Sequence, residues 1–287
     1  MKNFLSLFLL EPVFRGFFAL LISGASFPLC GVMVLRLNLI PLRYMLMHGV
    51  ILGGAIALAT SLPVVPSVIV INLILVIFLL LFTQNFEFGF SGTSAAVMVL
   101  SMALASFITH IFDVPSKDTL NILWGSPFAL SKFDIITLII LAIILVLYII
   151  LNFQTILNLF FSQEISISNG INVKFHYTVM ILIIALVVAL AMKLLGALMI
   201  DSLLILPVLI AIKFQNISKK SNGIKNLFFQ SSIIGFISSF LGYIIAVALD
   251  FPPGATIAFV AGFFYIIIIL IAKFKKSQTK ITKMEEL

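Results

Sequence analysis

Long unbroken apolar runs, separated by short polar breaks, make up almost the whole of this chain. A helix needs about 20 residues to cross about 30 Å of hydrocarbon. Runs of that order fall near 15–35, 44–61, 64–82, 93–112, 133–151, 175–192, 194–212, 226–249 and 254–272. The pattern predicts an all-α polytopic membrane protein with eight or nine transmembrane helices. The count hangs on the break SLPVVPS, whose Pro63 and Pro66 read as a tight turn or as a kink in a membrane-buried pair. The other breaks are too short to fold by themselves. The chain therefore reads as one transmembrane domain over 1–287, with an interfacial segment over 1–12 and a basic tail over 273–287. Gly, Ala and Ser gather at 53–61, 91–106 and 231–242, where small side chains let helices pack closely.

Composition closes off the soluble classes. The chain of 287 residues is 62% hydrophobic and 9% charged, against about 45–50% and about 25% for soluble domains. A soluble enzyme is excluded. The net charge is +7, carried by 17 Lys and Arg. Nine of the 17 lie in two patches, Lys213, Lys219, Lys220 and Lys225, and the tail lysines 273, 275, 276, 280 and 283. Between apolar spans such patches mark cytoplasmic segments and not a nucleic-acid surface. The orientation follows by alternation. The turn LDFPPG at 249–254 and the segment 113–132 lie outside, and 152–173 lies in the cytoplasm. Arg36 and Arg43 fall in a cytoplasmic turn. Cys30 is the single cysteine and reads as a small buried hydrophobe. No P-loop, EF-hand, zinc-finger or haem motif is present, so no permanently bound cofactor is expected, and any ATP hydrolysis belongs to another chain.

Polar groups inside spans are costly and need a reason. Asp201, within LLGALMIDSLLILP, reads as a pathway ligand or as a packing partner for a neighbouring helix. His48 reads as a helix-end histidine or as a metal ligand, since neutral imidazole is the commonest ligand for divalent transition metals. His110 and Asp113, three residues apart, are expected on one helix face, and read as a solvated helix end or as a weaker metal-entry pair. His176 reads as structural, near the cytoplasmic surface. Lys193 reads as the outer end of a hairpin, and lies two helical turns from Asp201, too far for contact within one helix.

Four segments together resemble the permease subunits of bacterial ABC transporters that import zinc, manganese or iron. They are LRLNLIPLRYMLMHGVILGGAIAL (35–58), SQEISISNGINV (162–173), LLGALMIDSLLILP (194–207) and LDFPPGATIAFVAG (249–262), and the likeness covers about 13–272. The resemblance implies an ABC importer permease in the bacterial inner membrane. It would form a homodimer above two cytoplasmic ABC ATPase subunits and receive its cation from a periplasmic or lipid-anchored metal-binding protein. The segment with Gln163, Glu164, Asn169 and Gly170 matches the ATPase-coupling element, and its Gly170 suits the cap of a short helix. Two departures stand out. His48 matches the family's site histidine, but Tyr44 stands where a carboxylate is expected four residues earlier, and a phenol titrating near 10 is a poor ligand at neutral pH. Asp201 stands where the family has a small residue. The working expectation is compensation, with Asp201 supplying the charge to a site that His48 still shares.

Two other classes compete. An ion-coupled secondary transporter is expected to show repeated halves with broken helices, and the prolines at 252–253 have only a loose counterpart at 63 and 66. An intramembrane enzyme needs paired catalytic groups, and Asp201 has no second aspartate at comparable depth. Imidazole with carboxylate suits zinc, manganese and iron alike.

Overall fold

The computed structural model describes residues 7–83, 89–115, 117–118, 125–218 and 223–285. Its spanning helices are α1 (Glu11–Arg36), α2 (Ile40–Thr60), α3 (Val64–Phe82), α4 (Gly89–Ile111) and α5 (Lys132–Leu151). Two short helices follow, α6 (Phe153–Phe161) and α7 (Gln163–Ser168). Then come α8 (Val173–Leu195), α9 (Ala197–Ser218), α10 (Ile224–Leu249) and α11 (Pro253–Glu285). Among the described residues nine helices are long and apolar enough to cross a membrane. Prolines 63 and 66 make a turn and a helix start. Ser61 ends α2 in the left-handed region, and α3 begins directly after Pro63. Glu11 and Pro12 belong to the first turn of α1, and residues 1–6 lie outside the described residues.

The helices form two groups joined by α8. In one, α2 packs on α3 and α4. In the other, α1, α9, α10 and α11 pack together with α5 against α1. Helix α8 touches α3, α2, α9, α5 and α1, and about three quarters of its apolar window is enclosed. Helices α3, α4 and α11 are open over most of their length and present Ile, Leu and Phe to lipid.

Small residues set the close approaches, as expected for spans that gain nothing from burial against lipid. A Cβ on Gly53 would stand 2.7 Å from the backbone of Val68, and one on Gly242 would stand 2.7 Å from that of Ile257. Gly24 and Gly235 face each other across α1 and α10. On the same seam Ser232 donates to the carbonyl of Ala25 at 2.5 Å, and the buried Tyr243 hydroxyl donates to that of Val13 at 2.5 Å.

Four polar residues end helices in the left-handed region, at Asn38, Ser61, Asp113 and Asp250. Asn and Asp tolerate that conformation because their short side chains bond locally. At Asn38, Asp113 and Asp250 the next residue's N–H returns to a carbonyl of the last turn, at 2.8–2.9 Å. Asp250 thus ends α10, and Pro252 and Pro253 open α11, which accounts for the turn LDFPPG.

The junction between α8 and α9 is abrupt. It is the single residue Gly196, with φ 103° and ψ 151°, a conformation open essentially to glycine alone. Leu204 packs its carbonyl on Gly31, near the cytoplasmic end of α1. Three residues after Gly196, Met199 lies against Gly254 in the first turn of α11. A plug from the segment 113–132 packs on this break. Gly125 rests on the Leu195–Gly196 backbone, and the carbonyl of Pro127 lies beside Gly16. Lys193 is in the last turn of α8, three residues before this break.

Candidate functional site

Asp201 lies one turn into α9, and its carboxylate is paired with the guanidinium of Arg43 in the first turn of α2. The two residues are 158 positions apart. Helices α2 and α9 do not pack as a helix pair, so the two side chains cross the space between the two helix groups. An unpaired carboxylate in a span costs about 2.5–3.5 kcal/mol on insertion scales, and Arg43 meets that cost. The pair is lopsided. The Arg43 side chain is 6% exposed, that of Asp201 is 36% exposed.

Arg43 is incompletely satisfied. One Nη donates to Asp201, whereas its buried Nε has no hydrogen-bond partner. A guanidinium built only to hold two helices would offer its fork to both carboxylate oxygens. Its remaining neighbour is the ring of Tyr44, with the guanidinium carbon 4.4 Å from the ring centre, a cation–π contact.

Tyr44 and His48 share an open face of α2, one turn apart. His48 Nδ1 lies 2.8 Å from the Tyr44 carbonyl oxygen. A carbonyl can only accept, so Nδ1 carries the hydrogen, and in the neutral ring Nε2 keeps its lone pair for a ligand. On α3, the buried Asn72 donates to the Val68 carbonyl at 3.0 Å, while its amide oxygen lies against Gly49 without a hydrogen-bond partner. Sequence reasoning passed over Arg43 and Asn72. Asn72 had a signal, an amide inside an almost wholly apolar span. Arg43 had only its place in a basic turn.

His110 and Asp113 are not stacked on one helix face. Helix α4 ends at Ile111, and Asp113 turns away at φ 50° to cap it. Among the described residues no three His, Cys, Asp or Glu side chains gather as a metal cluster. His176 opens α8 on the cytoplasmic side, and its carbonyl accepts from Tyr148 at 3.3 Å. Cys30 is buried in α1.

The segment 162–171 is a built unit. Ser162 caps α7 by accepting from the N–H groups of Glu164 and Ile165, at 3.1 and 3.4 Å. At the other end Gly170, at φ 73°, donates to Ile167 at 2.9 Å, and Ile171 donates to Ser166 at 3.0 Å. That pair of bonds is the Schellman motif, so Gly170 does cap the short helix, with Asn169 before it. Gln163 and Glu164 form its exposed first turn.

The model of the ABC 3 transport family matches residues 10–272. The chain belongs to that family. It is a multi-pass permease of the bacterial inner membrane. Its relatives include the high-affinity zinc uptake system membrane protein ZnuB of Haemophilus influenzae, 26% identical over 77% of this chain and 83% of that protein. Another is the manganese transport system membrane protein MntC of Listeria monocytogenes, 26% identical over 63% of each chain. The fold matches PsaBC from Streptococcus pneumoniae in complex with Fab, with TM-score 0.78, 20% identity, and coverage of 93% of this chain and 94% of that one. Membership of the ABC 3 transport family favours the ABC permease over the secondary transporter.

Proposed function

We propose that this permease imports a divalent transition-metal cation, zinc or manganese, with iron as a further candidate, through a path lined by His48 and Asp201. The observation that carries the proposal is the free Nε2 of His48 on the open face of α2, in a family whose relatives are named for zinc and manganese uptake. The cation is cargo, and no cofactor is held between cycles. Within the complex the whole chain acts as one permease domain, and hydrolysis belongs to separate ATPase subunits that engage Gln163, Glu164, Asn169 and Gly170. Two copies form the path between them. A metal-binding protein docks on the outer segments, where His110 and Asp113 are candidate metal-entry groups.

The test is uptake by the reconstituted permease–ATPase complex. Asp201→Asn keeps an oxygen for Arg43 but removes the charge. Uptake of zinc and manganese should fall at least about tenfold, a loss of about 1.4 kcal/mol, with the complex still assembled. Normal uptake in that variant would remove Asp201 from the path.

A further inference from the structure

We propose that Arg43 is the resident counter-cation of the permeation path, holding Asp201 while the path is empty and ceding it to a divalent cation. This rests on the reading of Asp201 as a pathway carboxylate.

Three features of the pair carry the inference. The enclosed member is the arginine and the open member is the carboxylate, so a cation travelling the path meets Asp201 from its free side. Arg43 leaves Nε without a partner in this arrangement, which is hydrogen-bonding capacity unspent here. The guanidinium also rests on the Tyr44 ring at 4.4 Å while it holds Asp201, a contact that does not depend on the carboxylate. Arginine does not lose its proton in proteins, so release from Asp201 must move the charge and cannot neutralise it. The ring face is where a moved guanidinium stays attracted.

The two departures from the family pattern then become one. Tyr44 is not a failed ligand but the support for Arg43, and Asp201 is the carboxylate that Arg43 guards. The arrangement selects by charge. A monovalent ion must displace a tethered ion of equal charge held at high local concentration. A divalent ion attracts the carboxylate twice as strongly and wins. Release also unties α2 from α9, which have little other contact. Arrival of cargo thereby loosens one helix group from the other.

The experiment uses the full permease–ATPase complex in lipid nanodiscs, with zinc and manganese ions as probes. Phenylglyoxal labelling of Arg43, read by mass spectrometry, should be low without metal and rise several-fold with it. Unchanged labelling overturns the proposal, and this arm needs no variant to fold. Arg43→Gln should raise equilibrium metal affinity about tenfold and make uptake inhibitable by potassium. Tyr44→Phe should behave as wild type, while Tyr44→Leu should slow uptake. Unchanged affinity in an assembled Arg43→Gln complex, or wild-type uptake in the Arg43→Gln/Asp201→Asn double variant, would reduce the pair to a structural tie. If Asp201→Asn alone keeps normal uptake, the pathway reading has failed. If it loses uptake while Arg43 responds to neither metal nor substitution, only the counter-cation has failed.

Discussion

His48 shows how one hydrogen bond decides what a side chain can do. The Tyr44 carbonyl takes Nδ1 at 2.8 Å and so leaves Nε2 as the only ring nitrogen able to ligate. His48→Gln keeps a polar side chain of similar reach but lacks that nitrogen. Metal uptake should fall at least about tenfold, read as initial rate against ion concentration, with the thermal unfolding midpoint of the complex changed little. The histidine was visible in the sequence through its neighbours' resemblance to a family segment. The Arg43–Asp201 pair was not. Arg43 and Asp201 are separated by 158 residues, and no periodicity links two charges on helices that do not pack together. The sequence could show that Asp201 needed an explanation, but only the fold could say that Arg43 supplies it.

At the scale of elements, apolar runs translated almost directly into helices. The run at 64–82 became Val64–Phe82, and 133–151 became Lys132–Leu151. The ends were less legible, since Asn38, Ser61, Asp113 and Asp250 stop helices by adopting a conformation usually left to glycine. This is why His110 and Asp113 part company despite a helical spacing. Helix α7, the proposed ATPase contact, is six residues long, and so short a helix depends on its caps. Ser162→Ala removes the acceptor for two N–H groups and should cost the segment about 1 kcal/mol. The expected result is a drop of several-fold in cargo-stimulated ATP hydrolysis with basal hydrolysis unchanged, measured on the same reconstituted complex. Equal loss of both rates would point to failed assembly and not to weakened coupling.

At the scale of the whole molecule the helix directions agree with the orientation that the basic patches imply. Helices α1 and α10 run antiparallel, as the contacts Val13–Tyr243 and Ala25–Ser232 require. With the tail in the cytoplasm, an odd number of spans puts the start of α1 outside. Cys30 is the single cysteine and is buried, so new cysteines can be read against a silent background. A cysteine at Phe251 should react with a membrane-impermeant maleimide in intact cells. One at Lys225 should react only after the membrane is opened. The reverse pattern would invert the topology.

Gly125 and Gly196 mark where the plug from outside meets the break inside. A Cβ on Gly125, at φ 54°, would run into the Leu195–Gly196 backbone, while Gly196 is held at φ 103°, where a side chain is strained whatever the space. The first site is closed by its neighbour and the second by its own torsion. Mutation at one therefore cannot be rescued by mutation at the other. These two glycines form a joint without tolerance, at the top of the helix that carries Asp201.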